Sequence, residues 1–287
     1  MGVVKGQQKI SFSFDDGLIT DRPGYSLQEW NQLLLDKLQR HKVNSILFVA
    51  GYNKFGEKGR YVLQSWNDKG HLIANHTTNH PNYNNDESTY RKFSRELLSN
   101  DSLINGYSNY VKLFRFPYLK EGNTPEKVDS FRSFMEEMGY RNGYVTIDAS
   151  DWYIDSRLVE RLKENPKADV TDFKKFYLEH IWERAQFYEK LSFELNDRHI
   201  AHTLLLHHNL AAALFIDDLI QMFEAKGWQI VSSKEAYTDP IYAVTPEYAG
   251  ESLIYALAKD SGKYEHLLRY PAEDSRYEKK RMNALGL

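Results

Sequence analysis

Asp15 and Asp16 stand side by side before Gly17, at the end of a segment (residues 9–14) that alternates polar and apolar. Adjacent carboxylates repel unless a cation or an arginine separates them. His76 and His80 lie four apart in the stretch NHTTNH, a spacing that puts two imidazoles on one face of a helical turn. With one carboxylate they form a two-His, one-carboxylate site with open positions, the donor set of catalytic zinc and non-haem iron. The Asp15-Asp16 pair can supply that carboxylate. Read alone, the histidines equally suit a polar surface loop, and a plain turn is the lesser alternative for Asp-Asp-Gly.

Three further positions carry chemistry. Arg115 sits between Phe114 and Phe116, ahead of Pro117 and Tyr118. An arginine embedded in apolar sequence pairs with a carboxylate, because burying it alone costs too much; an exposed edge strand is the simpler alternative. Asp151 adjoins Trp152, an acid beside a large apolar ring, and could also be a helix N-cap. His207 closes a run of leucines and is followed by His208. There it is either a satisfied core residue or a titrating group at a barrel mouth.

The elements that must position these residues alternate. Apolar or alternating runs at residues 9–14, 43–49, 72–74, 113–116, 144–147, 203–206 and 228–231 predict strands. Helical periodicity predicts helices at 27–41, 59–69, 87–104, 125–138, 170–195 and 211–225, the first with Leu27, Trp30, Leu34 and Leu38 on one face. Strand followed by helix, repeated along the chain, predicts an α/β fold with a parallel sheet or barrel. Such folds place their sites at the C-terminal strand ends, and the Asp, His and Arg residues above all fall there. Their coincidence points to one hydrolytic site. Residues 153–200 exceed a normal crossover and are expected to be a helical insertion beside the barrel mouth. Residues 237–287 are expected to form an extension packed back on the barrel.

Composition limits the classes. The 287 residues are 41% hydrophobic and 27% charged, ordinary globular values. The 37 basic and 40 acidic residues give a net charge of −3, which disfavours a nucleic-acid partner. The absence of cysteine excludes disulfide scaffolds, thiolate-bound zinc and thiol nucleophiles. The segment MGVVKG has no apolar core, so no signal peptide is expected in this chain. The apolar stretch 204–223 is broken by His207, His208, Asn209, Asp217 and Asp218, so no membrane span is expected.

In order, Ser13-Phe14-Asp15-Asp16-Gly17, His76-Thr77-Thr78-Asn79-His80, Arg115-Phe116-Pro117-Tyr118, Asp148-Ala149-Ser150-Asp151-Trp152 and Leu205-Leu206-His207 resemble the five motifs of the polysaccharide deacetylase family, also called the NodB homology domain or carbohydrate esterase family four. The flanking segments 45–51 and 70–76 are similar too, and the resemblance covers roughly residues 9–235. It implies a distorted (β/α) barrel of the NodB-homology type over residues 1–236; the helical insertion at about 153–200, the C-terminal extension at 237–287 and His208 directly after the motif histidine depart from the family's pattern. It also implies a divalent metal, most often zinc, held by Asp16, His76 and His80. Asp15 would be the general base with Arg115 as its partner. His207 would be the general acid, tuned by Asp151. Tyr118 would offer a backbone N–H to the oxyanion, and Trp152 and Leu205 would line the acetyl pocket. The expected reaction is removal of N-acetyl groups from an acetylated polysaccharide. The alternatives are O-acetyl ester hydrolysis or opening of a cyclic amide or imide on the same scaffold, and non-catalytic glycan binding. By the same resemblance the enzyme is expected to be exported, periplasmic or secreted, with its signal peptide absent from this chain.

Overall fold

In the computed structural model, described for residues 6–52, 54–269 and 274–287, β1 (Lys9–Asp16) lies between β2 (Ile46–Val49) and β6 (Ala201–His207) in the sheet. The first five residues of the expected barrel span and residues 270–273 of the expected extension lie outside the described residues. Side chains alternate along a strand, and in β1 both sides are buried. Phe12 and Phe14 pack outward against Phe223 and Trp66. Ser11 and Ser13 face the concave side, where Ser11 meets Thr203 and Ser13 meets Arg115. Continuing the alternation puts Asp15 on that concave side at the strand's C-terminal end.

Around β1 the chain winds α1 (Leu27–Arg40), β2 (Ile46–Val49), α2 (Glu57–Asp68), β3 (Leu72–Asn75), α3 (Tyr90–Ile104), β4 (Tyr110–Phe114), α4 (Pro125–Glu137) and β5 (Arg141–Asn142). It continues with α5 (Asp151–Glu164), α6 (Thr171–Asn196), β6 (Ala201–His207), α7 (Leu210–Ala225), β7 (Gln229–Ile230), α8 (Ser233–Ala236), α9 (Leu253–Ser261) and α10 (Arg276–Leu285). The strands are parallel in the order β5-β4-β3-β2-β1-β6, with β7 pairing the first residues of β1. This is the expected α/β architecture, a parallel sheet curled into a distorted barrel. In α1 the apolar stripe Leu27, Trp30, Leu34 and Leu38 is buried, and Ser26 with Glu29 forms a capping box that sets its start. No helix among the described residues is long and apolar enough to cross a membrane.

The barrel closes irregularly. The segment expected as a strand at 144–147 is not one: only Ile147 bridges to Leu204. It hydrogen-bonds to both neighbours as a connector instead. Gly143 N–H donates to Phe114 O, Thr146 and Ile147 N–H donate to Thr203 O, and Leu205 N–H donates to Ile147 O. Glycine is required at 143, because a Cβ there would sit 2.4 Å from the Phe48 ring. A segment threaded that tightly against the core cannot hold a regular pleat.

The insertion is helical, the first turn of α5 borders the barrel mouth, and α6 packs beside it on Asp148 and Ser150. Near its middle α6 passes Ser150, whose N–H donates to His180 Nε2 at 2.9 Å. Its Glu189 reaches Gln8 and His202 at the opposite end of the strands. At 26 residues α6 runs about 39 Å, the full height of the wall. It buries Phe173, Phe176, Tyr177, Ile181, Tyr188 and Leu191 there rather than over the cleft. After α8, Tyr237 and Tyr242 enter the concave side from below the site and are buried. Further on, Leu253 N–H donates to Val145 O and Glu251 N–H to Leu119 O. In α10, Glu278 lies 3.5 Å from His180 and Arg281 pairs with Glu183.

Candidate active site

The sheet register brings the site residues to one level. Asp15 pairs laterally with His207 on β6 and with Phe48 on β2, and Val49 pairs with Asn75, the residue before His76. Neighbouring parallel strands lie about 4.8 Å apart, so the ends of β6, β1 and β3 present their side chains around one cleft, with β2 as the spacer between the last two. At Asp16 the backbone turns into the left-handed region (φ 74°) and Gly17 follows it (φ 69°). That turn breaks the alternation and brings Asp16 to the same side as Asp15.

Asp16 Oδ1 lies 3.8 Å from His76 Nε2 and 3.5 Å from His80 Nε2. All three donor atoms fall within 4.8 Å of one another. His76 and His80 do not share a helical turn, as their spacing suggested; they belong to an irregular loop. Asn75 Oδ1 accepts from Thr77 N–H and Thr77 Oγ1 accepts from His80 N–H, and both Thr77 (φ 67°) and His80 (φ 55°) take left-handed backbone. Side chains bonding to nearby backbone compete with helix formation, and here they prevail. The fit to a cation rests on two geometric observations and on the protonation states that burial and neighbouring charge favour. Asp16 Oδ1 is buried without a hydrogen-bond partner. His76 Nδ1 bonds the Arg115 carbonyl at 2.8 Å, which makes it the protonated nitrogen and leaves the Nε2 lone pair facing the cluster. Burial lowers both histidines to about 4, so they are neutral at pH 7. For Asp16, burial opposes ionisation, but His207, His80, His76 and Lys54 together hold its carboxyl below the usual range. One carboxylate and two neutral imidazoles are the protonation state a metal requires.

Arg115 is buried, its guanidinium 3.8 Å from the centre of the Phe48 ring. Nη1 donates to Asp15 Oδ1 at 2.5 Å and to Ser13 Oγ at 2.9 Å. Nε donates to Gly143 O at 2.9 Å and Nη2 to the Tyr237 hydroxyl at 3.0 Å. Burial raises the Asp15 carboxyl above its ordinary value, against the pull of Arg115 and His207. Its other oxygen, Oδ2, lies 3.7 Å from His76 Nε2.

Across the cleft, His207 Nδ1 bonds Asp151 Oδ1 at 2.7 Å. Burial acts against the charged ring, but Asp151, then Asp16 and Asp15, carry His207 up to about 10. Asp151 is the first residue of α5 and is wholly buried. His208 follows the strand alternation to the convex side. There its Nε2 meets Asn31 Oδ1 at 2.9 Å, its ring packs between Trp30 and Trp66, and burial pushes it down to about 3.

A cavity of about 340 Å³ joins the two halves, lined by the Asp and His residues and by Tyr118, Leu119, Trp152 and Leu205. Tyr118 has left-handed backbone (φ 56°) and its ring leans on His80, with centroids 4.6 Å apart. Sequence reasoning missed Ser13 and Asn209, which hold Arg115 and Asp151, and it missed Tyr237. The inward alternation of Ser11 and Ser13 among phenylalanines was a readable signal for the first. For Tyr237, far from every motif, there was none.

The description "Polysaccharide deacetylase" belongs to the family model that matches residues 2–143. A peptidoglycan-N-acetylglucosamine deacetylase from Bacillus cereus is 27% identical over 146 residues, covering 50% of this chain and 46% of that protein. The chain spans about half the length of the curated relatives it matches. Two solved structures are similar in fold. A family 4 carbohydrate esterase from Streptomyces lividans, in complex with acetate, has a TM-score of 0.51 at 19% identity, covering 78% of this chain and 91% of that one. A CE4 family pseudoenzyme from Bacillus anthracis has a TM-score of 0.55 at 15% identity, covering 81% of this chain and 66% of that one.

Proposed function

The chain belongs to the polysaccharide deacetylase family, and from that premise we propose that it hydrolyses the N-acetyl amides of an acetylated glycan to acetate and free amino sugar. The observation that carries this reading is one cleft with an Asp-His-His donor set at its centre, a buried carboxylate–arginine pair on one side and a carboxylate–histidine pair on the other. Asp16, His76 and His80 would hold a divalent cation, and zinc suits a two-imidazole, one-carboxylate set with open positions. Bound there, it supplies Lewis acidity towards the carbonyl oxygen and the attacking water.

The chain's own residues supply the proton transfers. Asp15 keeps one oxygen on Arg115 and has Oδ2 to receive the proton of water as its oxygen bonds the acetyl carbon. Burial raises the affinity of Asp15 for that proton, and Arg115 pulls the other way, towards the carboxylate. An amine leaves poorly unless protonated. With Nδ1 fixed on Asp151, His207 would deliver its Nε2 proton to the amide nitrogen as the carbon–nitrogen bond breaks. The Tyr118 backbone N–H would face the carbonyl oxygen, and Trp152 with Leu205 would enclose the acetyl methyl.

The names of the Bacillus cereus relatives make N-acetylglucosamine of peptidoglycan the first substrate to test. Action on such a polymer would take place outside the cytosol. The experiment is acetate release from peptidoglycan, chitin oligosaccharides and acetylated xylan by zinc-loaded protein. Acetate from the N-acetylglucosamine polymers supports the reading. Acetate from xylan alone would make the enzyme an esterase, and none from a folded, metal-loaded protein would make it a glycan-binding relative.

A further inference from the structure

Arg115 has four anchors, and one comes from outside the motif-bearing part of the chain. Its Nη2 donates to the Tyr237 hydroxyl at 3.0 Å, and that hydroxyl donates its single proton to Tyr144 O at 3.0 Å. With its proton committed to a carbonyl, the Tyr237 oxygen can only accept from Arg115. The polarity of the contact is therefore fixed. We infer that Tyr237 is the positioning residue for the Asp15–Arg115 pair, holding the guanidinium at the angle at which Nη1 meets Asp15 Oδ1.

The segment around Tyr237 is built to hold it still. Asp239, two residues on, accepts from Ala201 N–H at 3.0 Å, from Ile241 N–H at 2.9 Å and from Arg198 Nη1 at 3.0 Å. The Tyr242 ring packs on Tyr237 with centroids 4.8 Å apart, and its own hydroxyl bonds Thr203 Oγ1 at 2.7 Å and Ala201 O at 2.9 Å. Both tyrosines are buried. Only Tyr237 touches the arginine. A guanidinium offers donors in a rigid fork, so freeing Nη2 lets the plane turn, and the Nη1–Asp15 contact turns with it. Buried N–H groups left without partners are costly, which gives the plane a reason to seek another acceptor.

Tyr237→Phe and Tyr242→Phe are matched tests, since each keeps its ring and deletes a buried hydroxyl. The kinetic part rests on the deacetylase reading. In zinc-loaded protein, Tyr237→Phe is expected to lower kcat on the order of tenfold with KM changed less than about twofold, the pattern of a misplaced catalytic group. Tyr242→Phe is expected to lower Tm comparably and leave kcat near wild type. Equal kcat in Tyr237→Phe and wild type, or equal losses in both variants, would overturn the assignment. A second readout needs no substrate: the solvent exchange of the Arg115 Nε–H, followed by NMR in metal-free protein. It should quicken in Tyr237→Phe and not in Tyr242→Phe. Were wild-type protein to release no acetate from any glycan, the functional reading alone would fail. Exchange would then decide the positioning role: faster only in Tyr237→Phe supports it, unchanged refutes it.

Discussion

The carboxylate of Asp151 grips His207 twice, taking the ring Nδ1–H at 2.7 Å and the backbone N–H at 2.8 Å. Asn209 Nδ2 adds a third bond to the same carboxylate at 3.2 Å. Ring and backbone are thus fixed together, and Nε2 is the nitrogen left to face the cleft. Replacing Asp151 with Asn keeps the shape and removes the charge. Turnover of an amide substrate should fall roughly 100-fold, the scale of a lost general acid, with metal content unchanged by elemental analysis.

The same pair gives the fold a pH dependence whose sign is set. His207 stands at about 10 against an ordinary 6.5, because Asp151 outweighs burial. A raised histidine contributes stability that is complete below pH 6.5 and is lost as pH rises through about 10. Thermal melts of metal-free protein should therefore decline over that window. In Asp151→Asn the decline should be much shallower; an identical slope would mean that another group titrates.

Asp15 and Asp16 are neighbours in sequence with separate tasks. Asp15→Asn should lower turnover by about 10²–10⁴-fold, the range for a general base, while zinc still binds. Asp16→Asn should lose the metal itself, because Asp16 Oδ1 is the buried oxygen without a hydrogen-bond partner between the two imidazoles. Chelation of wild-type protein should abolish activity and added zinc should restore it. Stoichiometric loss of zinc in Asp15→Asn would place that residue among the ligands.

Much of this was legible because a parallel barrel puts its chemistry where the sequence changes texture. The run of β1 ends in two acids, and the run of β6 ends in His207 with His208 just after it, so their strand ends announced themselves. What was not legible depends on contacts between distant segments. Residues 144–147 have strand composition, but close packing at Gly143 and the two-sided bonding of the segment make a connector. The His76–His80 spacing suggests a helix, but Asn75 and Thr77 bind the backbone locally and bend it away. Residues 153–200 were expected beside the mouth, and α6 also runs on to the far end, where Glu189 finds its partners, His202 and Gln8.

The last prediction separates the adjacent histidines. Strand alternation sends His207 into the cleft and His208 into the interface with α1 and α2. His207→Ala should cost about 100-fold or more in turnover of an amide, measured below a lowered Tm, since the change also leaves the buried Asp151 carboxylate without its charged partner. His208→Ala removes a ring packed between Trp30 and Trp66 and leaves Asn31 Oδ1 without one of its donors. By analogy with other large-to-small core changes it should destabilise by about 2–4 kcal/mol, and whatever remains folded should turn over normally. Acid should expose the same residue in wild type. His208 is held at about 3, so its contribution is present above pH 6.5 and fades as pH falls towards 3. His208→Gln, which keeps a donor for Asn31, should be less acid-sensitive than wild type in urea melts at pH 4 relative to pH 7. Turnover lost in the folded His208 variants and retained in His207→Ala would reverse the assignment of the two rings.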